Sequence, residues 1–557
     1  MKRTNTISKL LATVALAMTA ATGFAQANLG AACGCPTPVS SRPTVLLSSL
    51  ATNGGAGDGE LIAANVILDC SKTWILDKKI YVAPGKTLTI KPGTVIKGRS
   101  QALPADAVAL TVEVGGKIFA AGTESCQIVF TAEADNLDGT FPVTTVGSWG
   151  GVCIAGKASN NLTLAANGPF NASGNGRICV ADGIGTFEGF ASTNSKDQFG
   201  VAPASFDDND NSGILKYVSI RHAGAILTVG GELNALSLGS VGRGTTIEHI
   251  EVVSCADDGI EFWGGTVNIK YASFLFGNDD NLDWDCGWRG NAQFLFILKN
   301  DAAGSVDSDN GFEADADDQK SNLLPRSHPV IYNATIIGNG KTTLSSDNSA
   351  LAGINAKEIT EGEVYNSIIA NFKTGFNMTK SVGTRTGTFE AYHNWTNDGA
   401  TANPAAPQSL KVKCNTFVGC VDGITVGTSS ANLVAGDLTQ FTTTDLNTVV
   451  AGNTLAGFNY SLVRSSNTFT TRPDAIPNPA LTVAGCPTAP VDGFFSAAPY
   501  RGAFSSTGDS WLSPWSYAVV LNSVSGIQAC PNDVNNDGVI NITDFNSVLG
   551  SFGTSCQ

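Results

Sequence analysis

The 557-residue sequence predicts an all-β parallel solenoid, on three observations. The strongest is a repeat. Residues 247–265 overlay the stretch that starts at Ile269 with a 22-residue offset, placing Asp257 on Asp279, Asp258 on Asp280, Ile260 on Leu282, Glu261 on Asp283 and Phe262 on Trp284. A period of that length is one coil of a solenoid, in which each coil covers the apolar interior of its neighbour. Residues 79–96 read as short alternating strands separated by Pro-Gly turns, as expected of initiating coils. The composition, with 62 Gly and abundant Thr, Val, Ile, Asn and Ser, favours strands and turns over helices.

Taken in chain order, residues 1–27 read as a secretory signal. Lys2, Arg3 and Lys9 precede an apolar run, and Ala25-Gln26-Ala27 supplies the small-residue cleavage pattern. Export is therefore expected, to the extracellular space or a cell surface. No other stretch reaches the ~18–20 apolar residues that span a bilayer. Without the three basic residues of that segment, 30 basic face 48 acidic side chains, a formal charge of −18. Such a field disfavours nucleic acid and attracts cations. The 13 cysteines of an exported chain imply disulfides, with at least one cysteine left over. Cys530 with Cys556 is the leading pair and Cys414 with Cys420 a weaker one, whereas Cys33-Gly34-Cys35 has no histidine nearby to make a zinc site.

Residues 28–73 read as an N-terminal cap, 74–470 as the solenoid, 471–529 as an extension and 530–557 as a terminal motif. Within the solenoid, residues 112–131, 215–220, 331–338, 364–369 and 412–419 are each strands of a coil, and polar insertions around 160–210, 301–327 and 385–407 lengthen the turns. In the clear repeat, period-two geometry points Ile250, Val252 and Ser254 inward, with Ala272, Phe274 and Phe276 stacked on them. The same alternation sends Glu261 and Trp263 outward, in register with Asp283 and Asp285.

Asp257, Asp258, Asp279, Asp280, Glu261, Asp283 and Asp285 then form an acidic ledge. Two unit charges on coils ~4.8 Å apart repel by about 3–4 kcal/mol at an effective dielectric of 20. Arg289, Lys270 or a divalent cation would compensate them. Three readings are open: turn hydrogen bonds to the local backbone, calcium ligation, or catalysis. In the catalytic reading Asp279, Asp280, Asp283 and Asp285 act with Arg289, as paired carboxylates for glycoside hydrolysis or as a cation site with a basic side chain for β-elimination. Trp263, Trp284 and Trp288 are the aromatic candidates for stacking on sugar rings, Trp263 first because the alternation places it outside; Trp263 and Trp288 are the pair assigned that role. His222, His249, His328 and His393 have no metal spacing.

The segments Lys-Tyr-Val-Ser-Ile-Arg-His at 216–222, Thr-Thr-Ile-Glu-His-Ile-Glu-Val at 245–252, Asp-Asp-Gly-Ile-Glu-Phe at 257–262 and Asp-Trp-Asp-Cys-Gly-Trp-Arg-Gly at 283–290 resemble exported bacterial proteins of the pectin-lyase-like superfamily. That resemblance implies a right-handed parallel β-helix. It also implies either a polysaccharide lyase or hydrolase, or a surface protein without catalysis; fold analogy does not choose among them. Of the hydrolases' separated motifs, Asp257-Asp258 matches one and the others are not reproduced in order.

At the carboxyl end, Asp533, Asn535, Asp537, Asn541 and Asp544 place oxygen ligands at loop positions 1, 3, 5, 9 and 12, with the Val539 carbonyl at 7 and Gly538 at the sharp turn. This small EF-hand-like calcium motif resembles one dockerin repeat. Two repeats make a full dockerin, so a cohesin-like anchoring partner is a weaker expectation than a calcium-stiffened tag. The functional expectation is a secreted or cell-surface β-helix that binds extracellular polysaccharide or joins a matrix. A calcium-dependent polysaccharide lyase is the alternative.

Overall fold

The computed structural model describes residues 29–521 other than 54–59, 102–106, 168–178, 191–192, 229–230, 300–308, 317–322, 344–349, 358–359, 379–409, 428–432, 434–436, 451–454, 456–457, 466, 472, 474–480, 482 and 506–509. The expected signal and the terminal calcium motif, with Cys530 and Cys556, lie outside the described residues. So does His393.

The chain forms a parallel β-helix. Its described strands fall mainly into a 17-stranded and a 12-stranded sheet, and neighbouring coils pair in parallel. Each central coil gives one long strand to the larger sheet and one short strand to the smaller. Thr246–Val253 and Ile260–Trp263 come from one coil, Asn268–Leu275 and Leu282–Asp285 from the next. Ile250 pairs with Ala272 and Val252 with Phe274 on the first wall, and Glu261 pairs with Asp283 on the second. Ile250, Val252, Ile260, Phe262, Ala272, Phe274, Leu282 and Trp284 join one continuous interior core. Each large apolar side chain taken fully out of water there contributes about 1.5–3 kcal/mol.

Strict alternation fails at defined points. Tyr217, His249, Tyr271, Phe294 and Asn333 adopt left-handed φ of 49°, 52°, 58°, 59° and 60° in the middle of their strands. The pairing register skips each of the five, as when Lys216 pairs with Glu248 and then Val218 with Ile250. A left-handed non-glycine residue costs on the order of 1–2 kcal/mol. Stacking offsets it: ring centroids are 4.4 Å apart for Tyr217 and His249, 4.5 Å for His249 and Tyr271, and 5.1 Å for Tyr271 and Phe294. Burial in this stack pushes the His249 pKa down to about 4, so the ring is neutral.

A second left-handed bend, at Ser254 and Phe276, corrects the inward placement expected of both. The bend turns Phe276 out to join Val253 and Leu275 in a separate outer cluster, and Cys255 packs in the interior instead.

Coiling begins before residue 74, since Thr44–Leu46 already pairs in parallel with Thr73–Leu76. Disulfides Cys33–Cys126 and Cys35–Cys70 staple the N-terminal turns to the first coils. Cys414 bonds Cys486, not Cys420, which is free. The nearby-sequence partner loses to one 72 residues away because the extension folds back along the solenoid. This extension acts as a strap over the large sheet. Asn366 Nδ2 donates to the Pro487 carbonyl (2.9 Å), Gln293 Nε2 to Ser496 O (2.8 Å), Asn333 Nδ2 to Tyr500 O (2.8 Å) and Gln127 Nε2 to Trp515 O (3.2 Å). No helix among the described residues is long and apolar enough to cross a membrane.

Candidate functional site

The small sheet carries an unbroken column of outward side chains. Tyr81, Thr111, Cys153, Ser237, Glu261, Asp283, Glu313, Asn355, Asn377 and Thr425 follow one another in strand register. Their strand neighbours Ile260, Phe262, Leu282, Trp284, Phe312 and Ala314 point into the core, which sets the column on the outer face. From one end it is hydrogen-bonded in one direction: Thr425 Oγ1 donates to Asn377 Oδ1 (2.7 Å), Asn377 Nδ2 to Asn355 Oδ1 (2.9 Å) and Asn355 Nδ2 to Glu313 Oε1 (3.4 Å).

The acidic ledge sits in the middle of this column. Carboxylate oxygens of Asp257, Asp258 and Asp279 lie within 4.8 Å of one another, and those of Asp258, Glu261 and Asp283 do the same. The second group is nearly closed to solvent, with Asp258 8%, Glu261 4% and Asp283 8% exposed. Backbone and amide donors satisfy some oxygens. Asp280 N donates to Asp258 Oδ1 (3.1 Å), Asn234 Nδ2 donates to Glu261 Oε2, and Asn310 donates to both oxygens of Asp280. Asp283 Oδ1 is buried with no hydrogen-bond partner. Burial, and then repulsion from the neighbouring carboxylates, holds Asp257, Asp258, Asp279, Asp280, Glu261 and Asp283 well above the usual carboxylate range.

The compensating charges are not those expected. Arg289 faces Asp208 (3.4 Å) and donates to Ser159, on the insertion that follows the small sheet. Lys270 belongs to the large sheet and donates to the Phe494 carbonyl and to Ser496 Oγ (2.8 Å). Lys299 and Lys357 serve the ledge instead. Lys299 Nζ is buried and donates to the carbonyls of Asp279 and Asn310; burial lowers its pKa against the pull of Asp280 and Asp279. Lys357 Nζ lies 2.7 Å from Glu313 and 3.9 Å from Asp315. Burial opposes its charge, but Glu313, Asp315 and Asp283 hold its pKa well above the usual lysine value.

The aromatic expectations also change. Trp263 does leave the coil on its outer face, yet it is only 5% exposed, clustered with Leu162, Phe187 and Phe199 of the insertion after the small sheet. Trp288 is fully buried in the interior core, stacked on Phe262 at 3.8 Å and donating through Nε1 to the Val267 carbonyl (3.0 Å). Neither indole presents a face to a sugar. Asp285 pairs in register with Trp263 and accepts from its neighbour Cys286 N, outside both carboxylate triads.

Sequence reasoning missed Asn234, Asn310, Glu313, Lys299 and Lys357. For two of them a signal existed. Asp309-Asn310-Gly311-Phe312-Glu313 repeats Asp257-Asp258-Gly259-Ile260-Glu261, displaced by an insertion that breaks the 22-residue period. The glycine of that pattern has a steric cause: a Cβ on Gly259 would stand 2.5 Å from the Asn281 carbonyl oxygen of the next coil. The lysines carried no local signature.

The donor set suits a hard divalent cation: several carboxylate oxygens converge, one of them is orphaned, and the local cations are outnumbered. Among the described residues it offers no free basic side chain for proton abstraction. Lys299 is sealed in and Lys357 is held charged, while Arg289 is engaged elsewhere.

Neither curated proteins nor solved structures yield a match to this chain. A family model described as a pectate-lyase-like β-helix domain matches residues 59–453, well over half of the sequence and all of the strands that build the ledge. The chain is thus a member of the pectate-lyase-like β-helix domain family.

Proposed function

We propose that the protein is a secreted or cell-surface β-helix that binds extracellular polysaccharide through calcium held on the acidic ledge. The observation that carries this reading is the convergence of carboxylates from successive coils around the partnerless Asp283 Oδ1. Asp257, Asp258, Asp279, Glu261 and Asp283 would hold the ion. Bound calcium would neutralise the ledge and offer coordination positions to sugar hydroxyl or carboxylate oxygens. Family membership supports a carbohydrate-related role, and three described disulfides support an oxidising compartment. The Asp533–Asp544 loop, outside the described residues, would add a calcium-stiffened tag, to which a cohesin-like partner is the anchoring alternative.

Binding is favoured over β-elimination because no lysine or arginine among the described residues of the ledge is both accessible and free to accept a proton. The test is a panel of acidic and neutral polysaccharides, read for retention in calcium against chelator, for ultraviolet absorbance of unsaturated products and for reducing ends. Calcium-dependent retention without product is expected. Product formation that disappears in Asp283→Ala would replace this reading with the lyase.

A further inference from the structure

The larger sheet carries one interior residue per coil in unbroken register from the first coil to the last. This column begins with Val45, Trp74 and Ile96 and ends with Ile369, Phe417 and Val449. Every member between the ends lies in the continuous core, whereas Val45 is half-buried and Val449 is 40% exposed. The column is open at both ends. We infer that a second copy of this chain docks head to tail, with strand Thr448–Val450 of one copy pairing in parallel with strand Thr44–Leu46 of the other and Val449 covering Val45. The contact is independent of how the ledge is occupied.

Both strands are edges of the same wall. Among the described residues Thr44–Leu46 pairs only with Thr73–Leu76 and Thr448–Val450 only with Thr416–Val418, so each leaves one side of its backbone without a strand partner. Because all strands of this wall run in one direction, the last coil presents to the first coil of another copy what any coil presents to its neighbour. Thr448 then meets Thr44, Val449 meets Val45 and Val450 meets Leu46. Two like ends could pair only antiparallel, with the outline of one coil reversed against the other, so the remaining walls would not coincide. The contact is therefore between unlike ends. Such a contact does not close on itself and propagates along the coil axis.

Exposed apolar side chains collect at the same two ends. Leu46, Leu50 and Ile67 mark the first coils, Ile67 being 60% exposed, and Val421, Leu446 and Val449 mark the last, Val421 being 65% exposed. Between the ends, the large apolar residues that stand exposed among the described ones, Leu164, Ile226, Leu324 and Val491, belong to insertions and the strap. A terminal coil that faces water needs a polar cap. Here Phe441 fills part of the last coil against Phe417 (ring centroids 5.2 Å apart) but leaves Val449 uncovered, so the junction is made on the wall that carries Thr448–Val450.

The full-length chain is followed by sedimentation velocity over a concentration series, with electron microscopy of the most concentrated sample, for wild type, Val45→Lys and Val449→Lys. In the free chain either lysine reaches solvent through the open end, whereas in the stack it would be sealed in the core without a countercharge. Wild type is expected to grow with concentration into rods longer than one copy, and each variant to stay monomeric. Mixing the two variants restores a single junction, between the intact last coil of Val45→Lys and the intact first coil of Val449→Lys, and should give a dimer and nothing larger. A wild type that stays monomeric throughout overturns the head-to-tail contact. So does a mixture that stays monomeric, or a single variant that still associates, as it would through like ends or through the terminal loop. Should either variant fail to fold, as read by Tm, the exposed pair Leu46→Lys and Val421→Lys takes its place with the same outcomes.

Discussion

Glu251 is the point where the strap is locked to the solenoid, and removing its carboxylate should release the strap. The side chain is fully buried. It accepts from Ser219 Oγ (2.8 Å), from Ser516 Oγ and from the Tyr517 backbone N–H (2.8 Å to Oε2) at the start of the short helix Tyr517–Val520. Arg221 Nη2, also fully buried, lies 3.9 Å from Glu251 Oε1, and the Arg221 guanidinium sits 4.2 Å from the Tyr517 ring centroid. Glu251→Ala takes a countercharge from a guanidinium sealed off from water and leaves the Tyr517 N–H without its acceptor. Breaking a buried pair from one side costs about 3–5 kcal/mol. Glu251→Gln keeps a carbonyl acceptor for the Tyr517 N–H and should cost less. Urea unfolding gives the stability change, and hydrogen exchange of the Tyr517–Val520 amides reads the strap locally. The expected pattern is lost protection in the strap, retained protection in strand Val330–Ile337 and unchanged calcium binding on the opposite sheet. A Glu251→Ala protein within about 1 kcal/mol of wild type, with its strap amides still protected, would refute the assignment.

Hydrogen bonds from His328 to Glu361 (2.9 Å) and a contact with Glu363 (3.5 Å) overcome burial and raise its pKa to about 9. A raised folded-state value means the stabilisation is complete below the ordinary histidine pKa and disappears as pH rises through about 9. Tm measured from pH 6 to 10 should therefore fall over that window, and His328→Ala should flatten the fall. Trp288→Ala empties the space against Phe262 and should cost about 3–5 kcal/mol in denaturant unfolding. Because the indole is interior, folded Trp288→Ala should bind polysaccharide as wild type does; selective loss of binding would return Trp288 to the list of sugar contacts.

Much of the fold was legible because a solenoid converts sequence period into spatial contact. The 22-residue offset alone set Ile250 against Ala272 and Glu261 against Asp283. It also placed the ledge on one face. Alternation then misplaced Ser254 and Phe276, since a left-handed bend shifts the phase and these bends fall on Tyr, His, Ser and Phe rather than on glycine. Trp288 was read as a sugar contact for a related reason: its turn folds inward onto Phe262, and nothing in a local pattern separates an inward from an outward turn.

The amino-acid order by itself determined the coil, its register and the stack of acidic side chains, because each depends only on neighbours one period away. Tertiary structure alone decided which cysteine meets Cys414, that Lys299 and Lys357 rather than Arg289 and Lys270 answer the acidic charge, and that the insertion after the small sheet covers Trp263. Those contacts join segments whose separation along the chain has no period. The Cys414 and Trp263 contacts form where the returning strap and an insertion close over coils already built, whereas Lys299 and Lys357 directly follow the strands Asn291–Leu298 and Ala352–Ala356 and reach the ledge because insertions vary the spacing of those coils.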